Sequence, residues 1–164
     1  VQKPATILKK RLENPARVGI LGIGSELRAD DVAGILVAER IREFTAKTNS
    51  AIKLKIFIGA TAPENLTGEI KNFKPTHLII IDAADLGLKP GGIKVMSPDE
   101  IGGITFCTHS LPLKVMTDYL LESFKFDITV IGIQPKTLTV GAEPSKPVLK
   151  AVDSLVETLV GLFL

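Results

Sequence analysis

Tryptophan is absent from the 164 residues and tyrosine occurs once. The chain therefore lacks the aromatic platforms on which single-stranded nucleic acid stacks. Cysteine also occurs once, at Cys107, which excludes an internal disulfide and makes a reducing, cytoplasmic setting the natural expectation. No apolar run nears the roughly 18 residues of a membrane span. The stretch from Val1 to Asn14 is polar and basic, without the apolar centre of a signal peptide. Lysine and arginine are scattered and leave a formal net charge of only +2, so the clustered basic face of a nucleic-acid binder is missing. The phosphate-binding fingerprints fail too. A dinucleotide motif counted from Gly22 needs its third glycine where Leu27 stands, and no Walker loop occurs.

What is present is a globular composition, 45% hydrophobic and 23% charged, in a length that suits one domain with one sizeable core. Residues 1–164 are expected to form that domain, with 1–16 as an N-terminal extension. Its organising stretch is Leu78 to Ile81, four apolar residues running into Asp82, with Asp85 three positions on. A short continuous apolar run reads as a strand buried on both faces. A carboxylate where such a strand ends is costly unless something uses it. In open α/β sheets the usual use is a ligand site outside the carboxyl ends of the strands.

The rest of the chain alternates around that strand. Strands are expected at Arg17–Ile23, Lys53–Ile58, His77–Ile81 and Asp127–Ile133, with short additions at Ile93–Met96 and 137–140. Helices are expected over Ala5–Glu13, a basic appendage, then Asp31–Phe44, Pro63–Phe73, Leu111–Phe124 and Ser145–Phe163. The sum is an α/β three-layer sandwich: a mostly parallel twisted sheet of about five strands with helices on both faces. Four loops then meet at the carboxyl edge: 24–31, 59–65, 82–85 and 134–135. The loop carrying His109 has to cross the same side.

Asp30 and Asp31 open the first of the sheet's helices, where either can cap it and complement its dipole. Asp85 fits the turn Asp85-Leu86-Gly87. His77 opens its strand at the amino end and reads as structural. His109, flanked by Thr108 and the ready cap Ser110, completes a set with Asp31 and Asp82 of two carboxylates and one imidazole from three loops. Such a set suits a divalent ion with open positions. It equally suits an acid–base pair for attack by water.

Five stretches then acquire a family resemblance: Gly22-Ile-Gly-Ser-Glu-Leu-Arg-Ala-Asp-Asp31, Thr61-Ala-Pro-Glu-Asn65, Ile81-Asp-Ala-Ala-Asp-Leu-Gly-Leu-Lys-Pro-Gly91, Thr108-His-Ser-Leu-Pro-Leu113 and Gly132-Ile-Gln-Pro135. In this order they resemble the hydrogenase maturation endopeptidases, in particular the HycI type that serves the membrane-associated, group 4 NiFe hydrogenases. The resemblance runs from about Arg17 to the C-terminus. It implies a phosphorylase/hydrolase-like fold and an endopeptidase that removes the C-terminal extension of a hydrogenase large-subunit precursor after nickel insertion. It also implies that nickel comes with the substrate, and that the metal-contacting and catalytic positions fall on Asp31, Asp82 and His109. Nucleic acid and membrane insertion form no part of that picture. Two positions depart from the family pattern: Ser25 stands where Asn is common, and Val32 where Gly is common. The Glu64 and Gln134 loops are candidate cleft walls. The rival reading is a phosphoacceptor receiver domain built around Mg²⁺, although Gln134-Pro135 stands where that class carries its lysine.

Overall fold

The computed structural model describes residues 2–107 and 111–164. Six strands form one sheet: β1 (Arg17–Ile23), β2 (Lys53–Ala60), β3 (His77–Asp85), β4 (Ile93–Met96), β5 (Thr105–Phe106) and β6 (Asp127–Ile133). Five α-helices surround it: α1 (Pro4–Arg11), α2 (Ala33–Thr45), α3 (Thr67–Phe73), α4 (Leu113–Ser123) and α5 (Lys146–Phe163). Short 3-10 turns at Ala29–Val32 and Pro63–Leu66 lead into α2 and α3.

The main sheet runs β2-β1-β3-β6-β4, and β5 pairs with the end of β3. The pairs β1–β2, β1–β3 and β3–β6 are parallel, whereas β4 and β5 run antiparallel to their partners. Alternation along the strands divides the core. Val18, Ile20, Ile79, Ile81, Ile131 and Ile133 face one layer, formed by α1, α2 and α5. Leu21, Ile23, Leu78, Ile80, Ile128 and Val130 face the other, formed by α3 and α4. Burying each such branched side chain is worth about 1.5–3 kcal/mol, so the three central strands hold the layers together.

Three expectations are corrected. α1 is no appendage: Leu8 and Leu12, four residues apart on one helical face, are buried in the core with the α5 side chains. β3 does not stop at Ile81. It continues to Asp85 because β6 pairs with it through Ala83↔Ile133 and β5 pairs with Ala84 and Asp85. Residues 137–140 are not a strand. Their backbone is engaged elsewhere: the Thr137 carbonyl accepts from the Asp30 amide at 3.2 Å, and the Thr137 amide donates to the Asp30 carboxylate at 3.0 Å.

The connections place the site. From β1 the chain crosses through α2 to β2 on one side. From β3 it moves toward β6 on the other. Neighbouring strands whose connections leave in opposite directions open a crevice at their carboxyl ends. In this sheet that crevice lies between β1 and β3.

Candidate active site

Close backbone approach builds the crevice. A Cβ on Gly34 would lie 2.1 Å from the Ile81 carbonyl oxygen and 2.4 Å from that of Ile23. Glycine there lets the first turn of α2 settle directly on the ends of β1 and β3. Just after β1, Gly24 adopts φ +152°, and a Cβ on it would meet the Asp31 carbonyl at 1.9 Å. The Ser25 amide then donates to that carbonyl at 3.1 Å. The loop is thereby folded back on Asp31, and Ser25 supplies its turn without the family's usual Asn.

Asp30 and Asp31 are adjacent and both fully buried, yet their surroundings differ. Neither is the capping residue of the turn, whose N-cap position is held by Arg28. Asp30 reaches across to the loop after β6. Its Oδ2 accepts from the amides of Lys136 (2.8 Å) and Thr137 (3.0 Å) and from the Ser145 hydroxyl (2.8 Å), while its Oδ1 accepts from the Ser145 amide (2.6 Å). That is a structural brace. Asp31 has instead the Arg28 guanidinium, whose Nη1 stands 3.5 Å from Asp31 Oδ2 and also donates to the Cys107 carbonyl at 3.0 Å.

Asp82 lies opposite, inside β3 and not at its end, in register with Gly132. It shares the parity of Leu78 and Ile80, on the side of α3 and α4. Burial pushes its carboxyl well above the usual carboxylate range. The negative charge of Asp31 raises it further, against a smaller opposing bond from the Ala83 backbone. One carboxylate from the turn before α2 and one from β3 are thus fully buried within electrostatic reach of each other. The same surroundings act on Cys107, a half-buried residue whose thiol is pushed up to about 12 by burial first and then by Asp82 and Asp31. Burial and the two neighbouring carboxylates thus favour its thiol form.

His109, with Thr108 and Ser110, lies outside the described residues, so its place relative to the two carboxylates is not part of this geometry. α4 itself begins at Leu113 with Pro112 in the N-cap position, two residues later than expected. Among the described residues no three His, Cys, Asp or Glu side chains are grouped to hold a metal. His77 sits at the far end of β3, with Nε2 3.4 Å from Asp127 Oδ2 and Nδ1 3.2 Å from Thr76 Oγ1. Asp85 accepts from the Gly87 amide at 3.3 Å, as its turn requires.

Beside the carboxylates opens a cleft of about 560 Å³, lined by Asp85, Phe106, Cys107, Gln134, Pro135 and Leu138 among others. Gln134 forms part of its wall and fixes the neighbouring loop, its Oε1 accepting from the amides of Leu86 (2.7 Å) and Leu88 (3.2 Å). Glu64 does not line this cleft. Sequence reasoning missed Arg28, whose signal was its position three residues before Asp31. It also missed β5, which brings the Cys107 segment to the site and is only two residues long.

The model of the HycI family, described as hydrogenase maturation protease, matches residues 35–162. That range includes Asp82 and begins just after Asp31. A putative hydrogenase maturation protease of Methanocaldococcus jannaschii is 34% identical over 157 residues, 94% of this chain and 92% of the relative. The hydrogenase 3 maturation protease of Escherichia coli K12 is 34% identical over 143 residues, 87% of this chain and 88% of the relative. Among solved structures, the NiFe hydrogenase maturation protease HycI from Thermococcus kodakarensis superposes with a TM-score of 0.85 at 32% identity, covering 95% of this chain and 97% of that one. The mixed sheet and its surrounding helices are therefore those of known maturation proteases, and the receiver alternative falls. The chain belongs to the HycI family of hydrogenase maturation proteases and is a peptidase.

Proposed function

We propose that this peptidase removes the C-terminal extension of a NiFe-hydrogenase large-subunit precursor in the cytoplasm, once the precursor holds nickel. Asp31, Asp82 and His109 meet the nickel that the substrate carries. The observation that carries this reading is the fully buried pair Asp31 and Asp82, set across the crevice between β1 and β3. Two like charges in one buried site are unfavourable without a cation. Arg28 supplies a positive charge beside Asp31. A divalent ion arriving with the substrate offsets the repulsion between the two carboxylates. Two carboxylates and one imidazole make a small set for owning a nickel ion, and suit completing the coordination of one already held elsewhere.

The chemistry then divides among the chain's own parts. The cleft beside Gln134 receives the extended C-terminal segment. A carboxylate of the pair takes a proton from the attacking water and returns it to the departing amine. Residues 1–164 serve as one domain in this task, with α1 tied to its core through Leu8 and Leu12. The names of the relatives in E. coli and T. kodakarensis support the reading, since both describe hydrogenase maturation.

The test is incubation of purified protein with nickel-loaded precursor, followed by mass spectrometry of the large subunit. Loss of a single C-terminal peptide is expected with wild type and not with Asp82→Asn. An intact precursor in both samples overturns the proposal.

A further inference from the structure

Leu27 and Val140 are each 73% exposed, the most exposed large apolar side chains among the described residues. They stand on different loops, 24–31 and 134–145, which are stitched together beneath them. The Gly141 amide donates to the Leu27 carbonyl at 2.9 Å, and the Asp30 amide to the Thr137 carbonyl at 3.2 Å. The Asp30 carboxylate adds its bonds to Lys136, Thr137 and Ser145. Ala29, at φ +49°, and Gly141, at φ +82°, take left-handed turns that lift the two loop tips. A non-glycine residue persists in that region only where its surroundings fix it. The two apolar tips are thus held outward by a hydrogen-bonded framework centred on the buried Asp30.

We propose that Leu27 and Val140 form an apolar docking knob for the folded body of the precursor, separate from the cleft that takes its C-terminal segment. This rests on the function proposed above and deepens it. The occupant follows from position. Arg28, next to Leu27, touches Asp31, and Asp30, which braces the Val140 loop, is the neighbour of Asp31. Any body that brings a metal ion to Asp31 must come down over this rim. Its surface there must offer an apolar hollow, because a leucine and a valine present no polar group to match. Preformed loops lose little freedom on binding, so burying the two side chains acts directly on affinity. The knob selects a folded subunit, whereas the cleft accepts any extended segment of the right sequence.

The experiment measures kcat and KM for cleavage of nickel-loaded precursor by wild type, by Leu27→Ser/Val140→Ser and by Asp82→Asn, with a thermal melt of each and sedimentation of the first two. The double variant is expected to melt like wild type, since both side chains are exposed, and to show a KM raised roughly tenfold or more with kcat little changed. An unchanged KM in a folded double variant overturns the knob while leaving the function intact, provided Asp82→Asn is inactive. Full activity of Asp82→Asn overturns the function instead. A wild-type dimer that the double variant converts to monomer, with KM unchanged, assigns the surface to a second copy of this chain and equally overturns the proposal. Should the double variant melt early, Leu27→Ala alone, read by the same KM, decides the matter.

Discussion

The two ends of strand β3 solve opposite problems. At the amino end the side chains of His77, Thr76 and Arg17 have ordinary partners. His77 pairs with Asp127, the Thr76 hydroxyl accepts from the Arg17 amide and donates to the Arg17 carbonyl, and the Arg17 side chain reaches the Phe73 carbonyl. At the carboxyl end, Asp82 and Asp31 are buried beside each other, and the Asp82 carboxyl is driven far from its ordinary titration range. The first arrangement serves folding. The second works against folding, and a chain keeps such a feature where function uses it. The same contrast recurs between adjacent residues: Asp30 accepts four hydrogen bonds that tie two loops together, and Asp31 faces the crevice.

The two ends of β3 should differ most in their effect on activity. Asp82→Asn is expected to lower cleavage of nickel-loaded precursor by on the order of 10²–10⁴, read as kcat by quantitative mass spectrometry. His77→Ala should leave kcat within about twofold, because its partners lie at the other end of the strand. A reversal of the two results would put the site at the amino edge.

Asp30→Ala comes next. It strands the part-buried amides of Lys136, Thr137 and Ser145, and is expected to cost about 1–3 kcal/mol in a denaturant melt. Asp31→Ala, one residue on, should cost much less, since its exchange removes a like charge from Asp82 together with the Arg28 contact. Equal losses at the two positions would erase the distinction between brace and site.

A third effect has the opposite sign. The folded-state pKa of Asp82 is raised above its ordinary value near 3.8. Between those two values the folded protein binds more protons than the unfolded chain, so this group's destabilising contribution grows as pH rises through that window. It is absent below the unfolded pKa. Asp82→Asn should therefore melt higher than wild type at pH 7, and the difference should shrink as the pH falls toward 4. A variant that melts lower at pH 7 would show that the carboxylate is already well accommodated in the folded state. The smallest effect is at His77, where alanine removes a partly exposed ion pair and should cost at most about 1 kcal/mol.

Much of the fold was legible because the central strands are written in continuous apolar runs. Arg17–Ile23 and Asp127–Ile133 begin and end where the sequence places them, each stopped by a polar or glycine-rich turn. The short antiparallel partner at Ile93–Met96 was legible too. What escaped was set by partners distant in the chain. The β3 extension past Asp82 depends on pairing with Phe106 and Ile133, and residues 137–140 are held out of the sheet by Asp30, more than a hundred residues earlier. Asp31 and Asp82 could be picked out as acids near strand ends. Which of the paired acids is the brace could not, because three of the four bonds to Asp30 come from backbone amides that carry no sequence signature. Arg28 was hidden likewise, its second partner being a carbonyl oxygen at Cys107.

On the proposed function, the buried carboxylates are reserved for a cation delivered by the substrate. The most direct measurement compares cleavage rates of nickel-loaded and nickel-free precursor by the same purified, metal-stripped protein, with the isolated C-terminal peptide as a third substrate. Rapid cleavage of the loaded precursor alone is the predicted result. Comparable cleavage of the nickel-free precursor would contradict it, and would make Asp31 and Asp82 an ordinary acid–base pair that acts without the metal.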